Sequence, residues 1–350
     1  MKGSTRDYNL DFIKFIAIIA TISIHVFAPG GGYELGSPSQ IFFVCAGSLF
    51  RFCVPVFAMA SGYLLYTRDE ISYKKNWTQV IKFLIYFILA EAFYRFLSCL
   101  YMKYYYHNEI DFLIIKEDLL KGNYKDHLYY IFIIIFIYIF APLGNFILKK
   151  EEGQLRYLLG VWMIIPLTIT FIINLFNIEV LKILRYYELS GAYNFILFAL
   201  LGGYFNKYKS KIIAKKSIFY ILIFLVSYLL LLVSVFVMSR EELNLYSWEG
   251  ANILNFGLAY SLFGLAMKAK IKSERFKKFL KLVSENIFVV YIIHVGFLDF
   301  LAMNELIYTN VDGPEKVLVC LIEIIGVFII SLLTSIILRF IKKTLNLIVL

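Results

Sequence analysis

Apolar runs of about twenty residues alternate with short polar segments along the whole chain. About twenty residues of helix cross a bilayer core of roughly 30 Å, so each run predicts one membrane-spanning helix. Ten such runs occur, at about 10–29, 41–66, 80–102, 127–148, 157–176, 190–205, 217–238, 250–267, 284–303 and 316–340. The second is long enough to tilt or to begin along the interface. The sixth is short and ends in the glycine-rich "LLGGYF". Strands are excluded from the runs, because an open sheet leaves its backbone unsatisfied in lipid. The pattern therefore predicts an all-α, polytopic helix bundle of about ten transmembrane helices, with residues 1–350 forming one transmembrane domain.

The polar segments fix the orientation. Most of the 35 lysines and arginines fall in alternate loops, with "NKYKSKIIAKK" and "KAKIKSERFKKFLK" the densest. By the positive-inside rule these loops and both termini are cytoplasmic. The net charge of +10 is spread between apolar runs rather than gathered into a patch, which argues against nucleic acid as a partner. A chain that is 61% hydrophobic and 17% charged has membrane lipid as its surroundings. The N-terminal run is too long for a signal peptide and carries Lys14, so it reads as an uncleaved first span. The longest outer loop, about 103–126, has room for one amphipathic helix. Cys45, Cys53, Cys99 and Cys320 all lie within the runs, without paired spacing, and read as buried thiols.

Ionisable residues inside spans cost roughly 2.5–3.5 kcal/mol each on insertion scales, so each is a functional candidate. In "KFIAIIATISIH", Lys14 and His25 are eleven residues apart. On a helix they share one face to within about 20° and stand about 16 Å apart along the axis. Packing readings exist for both: a snorkelling lysine, and a histidine hydrogen-bonded to a neighbouring helix. Arg51, four residues before Pro55 in the second span, must face the bundle interior or a wet cavity. Glu91 and Arg95 have the spacing of a same-face ion pair. His127, His294 and Glu323 read as interior polar groups satisfied by packing. The four histidines lack metal-binding spacing, so no metal is expected.

Taken together, these segments resemble the acyltransferase-3 family of bacterial membrane O-acyltransferases, in particular the stand-alone type that acetylates surface polysaccharides. "RDYNLDFIKFIAIIATISIHVF" is similar to the family's first helix, with its Arg/Lys-x10-His spacing at Lys14 and His25. "FRFCVPVFAMASGYLL" resembles the second-helix signature, including Arg51, Pro55, Ser61 and Gly62. "DHLYYIFIIIFIYIFAPL" resembles a His-Leu-Trp-Phe-Leu segment, with Tyr129 in the tryptophan's place, and "SENIFVVYIIH" a late Tyr-Leu-x-His segment. The arginine cluster that some relatives carry on the third helix is replaced by Lys74, Lys75 and Lys82.

The resemblance implies transfer of an acyl group, usually acetyl, from cytoplasmic acetyl-CoA to a hydroxyl of an extracytoplasmic glycan or lipid-linked sugar. It implies a catalytic role for His25, as general base or acyl carrier, with Arg51 stabilising an oxyanion or holding the donor. Lys14, with Lys74, Lys75 and Lys82, would meet the phosphates of the donor. A pantetheine arm is long enough to run along the helix face from Lys14 to His25. The rival from another class is a multi-span transporter or exporter of a polysaccharide or small solute. Inverted repeats mark many carriers, and residues 1–150 match no later half in either sense.

Overall fold

The computed structural model describes residues 6–28, 33–106, 125–176, 193–304 and 315–344. All regular structure among them is helical, and apart from a short helix, Lys209–Ala214, it groups into ten elements at the positions of the ten apolar runs. These are α1 (Tyr8–Val26), α2 (Pro38–Leu65), α3 (Tyr73–Tyr106) and α4, a bent pair (Asp126–Ile139 and Ala141–Leu148). They continue as α5 (Glu152–Leu175), α6 (Asn194–Lys207), α7 (Ser217–Met238), α8 (Tyr246–Met267), α9 (Glu274–Met303) and α10 (Glu315–Thr344). Eight are long and apolar enough to cross a membrane, and α4, bent by 56°, makes a ninth. The chain is a multi-pass membrane protein.

The tenth expected span is shorter than a membrane is thick. α6 has 14 residues, about 21 Å of helix, and residues 190–192 of the expected run lie outside the described ones. It can be short because protein, not lipid, surrounds it: Phe195, Phe198, Ala199, Leu200, Leu201, Gly202, Gly203 and Phe205 are all buried. Its backbone touches that of α2. A Cβ on Gly62 would stand 1.8 Å from the Ala199 carbonyl oxygen, and one on Gly202 would stand 1.8 Å from that of Met59. This reciprocal close approach is what small residues contribute to helix pairs in membranes.

Prolines account for the irregular helices. α2 consists of two helices, Pro38–Leu49 and Cys53–Leu65, and Pro55 lies in the first turn of the second, where no intrahelical N–H bond is lost. Pro142 opens the second half of α4 in the same way. Pro166 lies inside α5, and the helix widens into a π segment over Met163–Ile169 around it.

Side chains from neighbouring elements cap the ends of several helices at one face. Lys207 Nζ donates to the carbonyls of Leu148 and Lys150 at 2.6 and 2.8 Å, and Asn145 donates to Tyr66 and Arg68 at 2.7 Å each. Asn9 donates to Ala266, Met267 and Ala269. Glu285 binds both Arg6, before α1, and Arg339, near the end of α10, at 3.5 and 2.9 Å. The described chain thus begins and ends at the face that carries the basic loops, and some of those lysines close orphan helix carbonyls. Asp7, just outside α1, accepts from Tyr63 at 2.8 Å and Lys209 at 2.7 Å. Burial acts to raise the Asp7 carboxyl, but the bonds from Lys209 and Tyr63 outweigh it and hold the group below its ordinary value. This tie is therefore intact above the ordinary carboxylate range and is lost as pH falls through the lowered value.

Replacing Gly202 with leucine drives a side chain into the Met59 backbone and is expected to cost about 3 kcal/mol or more. Gly160→Leu, at a position with open space around it, is expected to change stability by less than about 1 kcal/mol. Thermal midpoints of the two variants in detergent check this contrast.

Candidate active site

Three of the four histidines meet in the bundle. His25 lies in the last turn of α1, His127 in the turn that opens α4, and His294 two-thirds of the way along α9. Ring centroids are 5.2 Å apart for His25 and His294, 5.4 Å for His127 and His294, and 6.0 Å for His25 and His127. His127 and His294 are buried; His25 is partly exposed. The expectation that His127 and His294 are separate packing residues gives way to a cluster around His25. The four residues of "YIIH" in α9 place Tyr291 and His294 one helical turn apart, so both reach the same neighbours.

Backbone carbonyls of α9 orient two of the three rings. His294 Nδ1 lies 2.6 Å from the Tyr291 carbonyl oxygen, and His127 Nε2 lies 3.2 Å from that of Ile292. A carbonyl only accepts, so each of these nitrogens carries the proton. Tyr94 of α3 supports the same stretch. Its hydroxyl donates to Ile292 at 2.6 Å and accepts from the Gly296 N–H at 3.1 Å, two groups about one turn apart on α9. Tyr291 donates its hydroxyl to the His127 carbonyl. Helices α3, α4 and α9 are therefore joined at the depth of the cluster. Among the described residues, His25 has no side-chain hydrogen bond, and no group of three or more His, Cys, Asp or Glu is arranged to hold a metal ion.

Arg51 occupies the break between the two halves of α2, within electrostatic range of His25. Its Cζ lies 3.6 Å above the Trp248 ring, at the start of α8. Trp248 is held in turn: its indole N–H donates to Ser48 Oγ at 2.8 Å, and its ring packs where a Cβ on Gly47 would stand 2.7 Å away. The buried Nε of Arg51 has no hydrogen-bond partner, and no carboxylate pairs with the guanidinium among the described residues. An unneutralised guanidinium stacked on an indole keeps its donors available for an anion.

Lys14 is mostly buried near the opposite end of α1, with Ser284 Oγ of α9 at 3.4 Å and no carboxylate within ion-pair distance among the described residues. The α1 face between it and His25 is closed, because Ile18, Thr21 and Ile22 are buried against neighbouring helices. The open path expected along that face is not present: close packing of α1 on α2 and α9 fills it. Lys74, Lys75 and Lys82 are exposed at the cytoplasmic part of α3, which packs mainly on α4 rather than on α1. The expected Glu91–Arg95 ion pair does not form. Both carboxylate oxygens of Glu91 are buried without a hydrogen-bond partner, its side chain being turned into the bundle on the side of Ala90 and Tyr94. Glu323 is half-buried on α10. A separate cavity of about 570 Å³ lies at the outer ends of α5 and α7, lined by Asn174, Arg240, Asn244 and Tyr246 among others. It shares no lining residue with the histidine cluster.

Trp248→Ala removes both the surface beneath Arg51 and a large buried ring, and is expected to cost about 3–5 kcal/mol. Trp248→Phe keeps a ring there and loses the bond to Ser48, for a cost of about 1 kcal/mol. Thermal unfolding of the two variants in the same detergent checks both values.

Comparison with known proteins adds one match. A family model described as an acyltransferase domain, that of acyltransferase family 3, matches residues 7–340. No curated protein and no solved structure matches the chain. The match runs from the residue before α1 to within the last turns of α10, and so includes His25, Arg51, His127 and His294. The chain belongs to the acyltransferase-3 family and is a membrane acyltransferase.

Proposed function

We propose that this chain transfers an acetyl group from cytoplasmic acetyl-CoA to a hydroxyl of an extracytoplasmic or lipid-linked glycan, in a bacterial plasma membrane. The observation that carries this reading is His25. It is an imidazole without a hydrogen bond among the described residues, partly open, held among two oriented imidazoles and within range of a guanidinium that no described carboxylate neutralises. A neutral imidazole so placed can accept the proton of an attacking hydroxyl. Arg51 has donors to spare for the oxyanion that forms as the thioester carbonyl is attacked. Lys14, and the solvent-facing Lys74, Lys75 and Lys82, supply positive charge for the donor's phosphates at the cytoplasmic side. With the α1 face closed, a pantetheine arm that follows this helix has to part it from its neighbours.

Purified protein in detergent should bind acetyl-CoA saturably and hydrolyse its thioester slowly without an acceptor. Lys14→Ala is expected to weaken binding about tenfold, equivalent to about 1.4 kcal/mol. His25→Ala is expected to leave binding in place and lower turnover by about 10²–10⁴. Absence of saturable binding by folded wild-type protein, or full turnover by His25→Ala, would contradict the reading.

A further inference from the structure

His294 holds a nitrogen that the structure leaves unused. Its Nδ1 proton goes to the Tyr291 carbonyl of its own helix, at 2.6 Å. Nε2 is then the nitrogen with the bare lone pair. It is fully buried and has no hydrogen-bond partner. A buried acceptor left empty costs about 1–3 kcal/mol, so a donor that satisfies it is favoured by the same amount.

Among the described residues, two imidazoles stand near enough to supply that donor. His127 does not qualify: its Nε2 proton faces the Ile292 carbonyl, and the neutral ring has no second proton to give. The Tyr94 hydroxyl near His127 does not reverse this assignment, since its own proton is committed to Ile292 at 2.6 Å. His25 makes no hydrogen bond among the described residues and carries one N–H in its neutral form. Its ring centroid is 5.2 Å from that of His294, against 6.0 Å from that of His127. A linear N–H···N bond of about 3 Å between two imidazoles places their centroids about 5.2 Å apart, so the observed separation suits the bond once the His25 ring turns its N–H toward His294 Nε2.

We propose that His294 is a positioning residue: its Nε2 accepts the N–H of His25 and so presents the other nitrogen of His25, with its lone pair, to the acceptor hydroxyl. The proposal rests on the reading of His25 as general base. In the reaction, the hydroxyl proton passes to His25 as the oxygen bonds to the thioester carbonyl carbon. When the tetrahedral intermediate collapses, the carbon–sulfur bond breaks, sulfur leaves with the electron pair, and His25 returns the proton to it. The bond to His294 persists throughout and stabilises the imidazolium between the two transfers. His294 touches neither substrate, and its neutral form suffices.

Two substitutions separate this role from packing. His294→Asn keeps an N–H for the Tyr291 carbonyl and removes the acceptor; His294→Gln places an amide oxygen where Nε2 was. Acetyl-CoA thioester turnover is measured for both, together with wild type, His25→Ala and the His25→Ala/His294→Asn double variant. The expected result for His294→Asn is a fall in kcat of about a hundredfold with KM for acetyl-CoA within about twofold. His294→Gln is expected to stay within about tenfold of wild type, and the double variant to be no slower than His25→Ala alone. Wild-type kcat in His294→Asn would overturn the proposal while leaving His25 as the base. So would a folded His294→Gln as impaired as His25→Ala, a result that also decides the matter should His294→Asn fail to fold. Turnover that survives His25→Ala would remove the reading of His25 and this proposal together.

Discussion

Hydrogen bonds that tie α3 and α4 to α9, around Tyr291–Gly296, decide where the candidate site of this bundle sits. Tyr94, His127 and Tyr291 make these bonds, and they bring three helices together at one depth. In lipid each of these polar groups would otherwise be unsatisfied at a cost of several kcal/mol, so the helices are constrained to the arrangement that pairs them. One consequence is the orientation of His127. Another is that α1, packed on α9 and α2, brings His25 into the same place without bonding it.

Many polar side chains elsewhere in the bundle are paired. Lysines and asparagines at the basic face cap helix ends, and Trp162 of α5 donates to Asn194 of α6 at 3.0 Å. Among the described residues, the empty Nε2 of His294 and the unpaired Nε of Arg51 occur within one neighbourhood, around a histidine that has no hydrogen bond to them. Polar capacity left open where burial makes it costly is a mark of sites that wait for a ligand. Tyr33, Gln40, Asn255 and Ser331 each have a buried side-chain atom without a partner as well, and so does Glu91, with both carboxylate oxygens unpartnered on α3. The geometry gives it no role in the cluster.

The helical order was legible in the sequence because hydropathy reports the thickness of the bilayer. The seventh run, expected at 217–238, is Ser217–Met238. α9 begins ten residues before the expected 284, because "ERFKKFLKLV" continues the helix past the membrane, where hydropathy has nothing to detect. The break at 50–52 lies just before Pro55, the proline within the second run. The face shared by Lys14 and His25 followed from helix periodicity, but its closure did not, since it depends on what α2 and α9 place against it. The histidine cluster escaped notice for a related reason. Its members lie on three helices far apart in the chain, and only a comparison of their depths would have brought His127 and His294 level with His25. The tie through Tyr94 left no local pattern at all: a tyrosine in α3 and a glycine in α9 meet only once the bundle is assembled.

The most direct test of the central claim is a structure of the protein with a non-hydrolysable thioether analogue of acetyl-CoA. The account expects the carbonyl of the analogue within hydrogen-bond reach of Arg51 and beside the His25 ring, with the nucleotide phosphates at the cytoplasmic side near Lys14. An analogue whose carbonyl settles away from the three histidines, with His25 still unengaged, would contradict it.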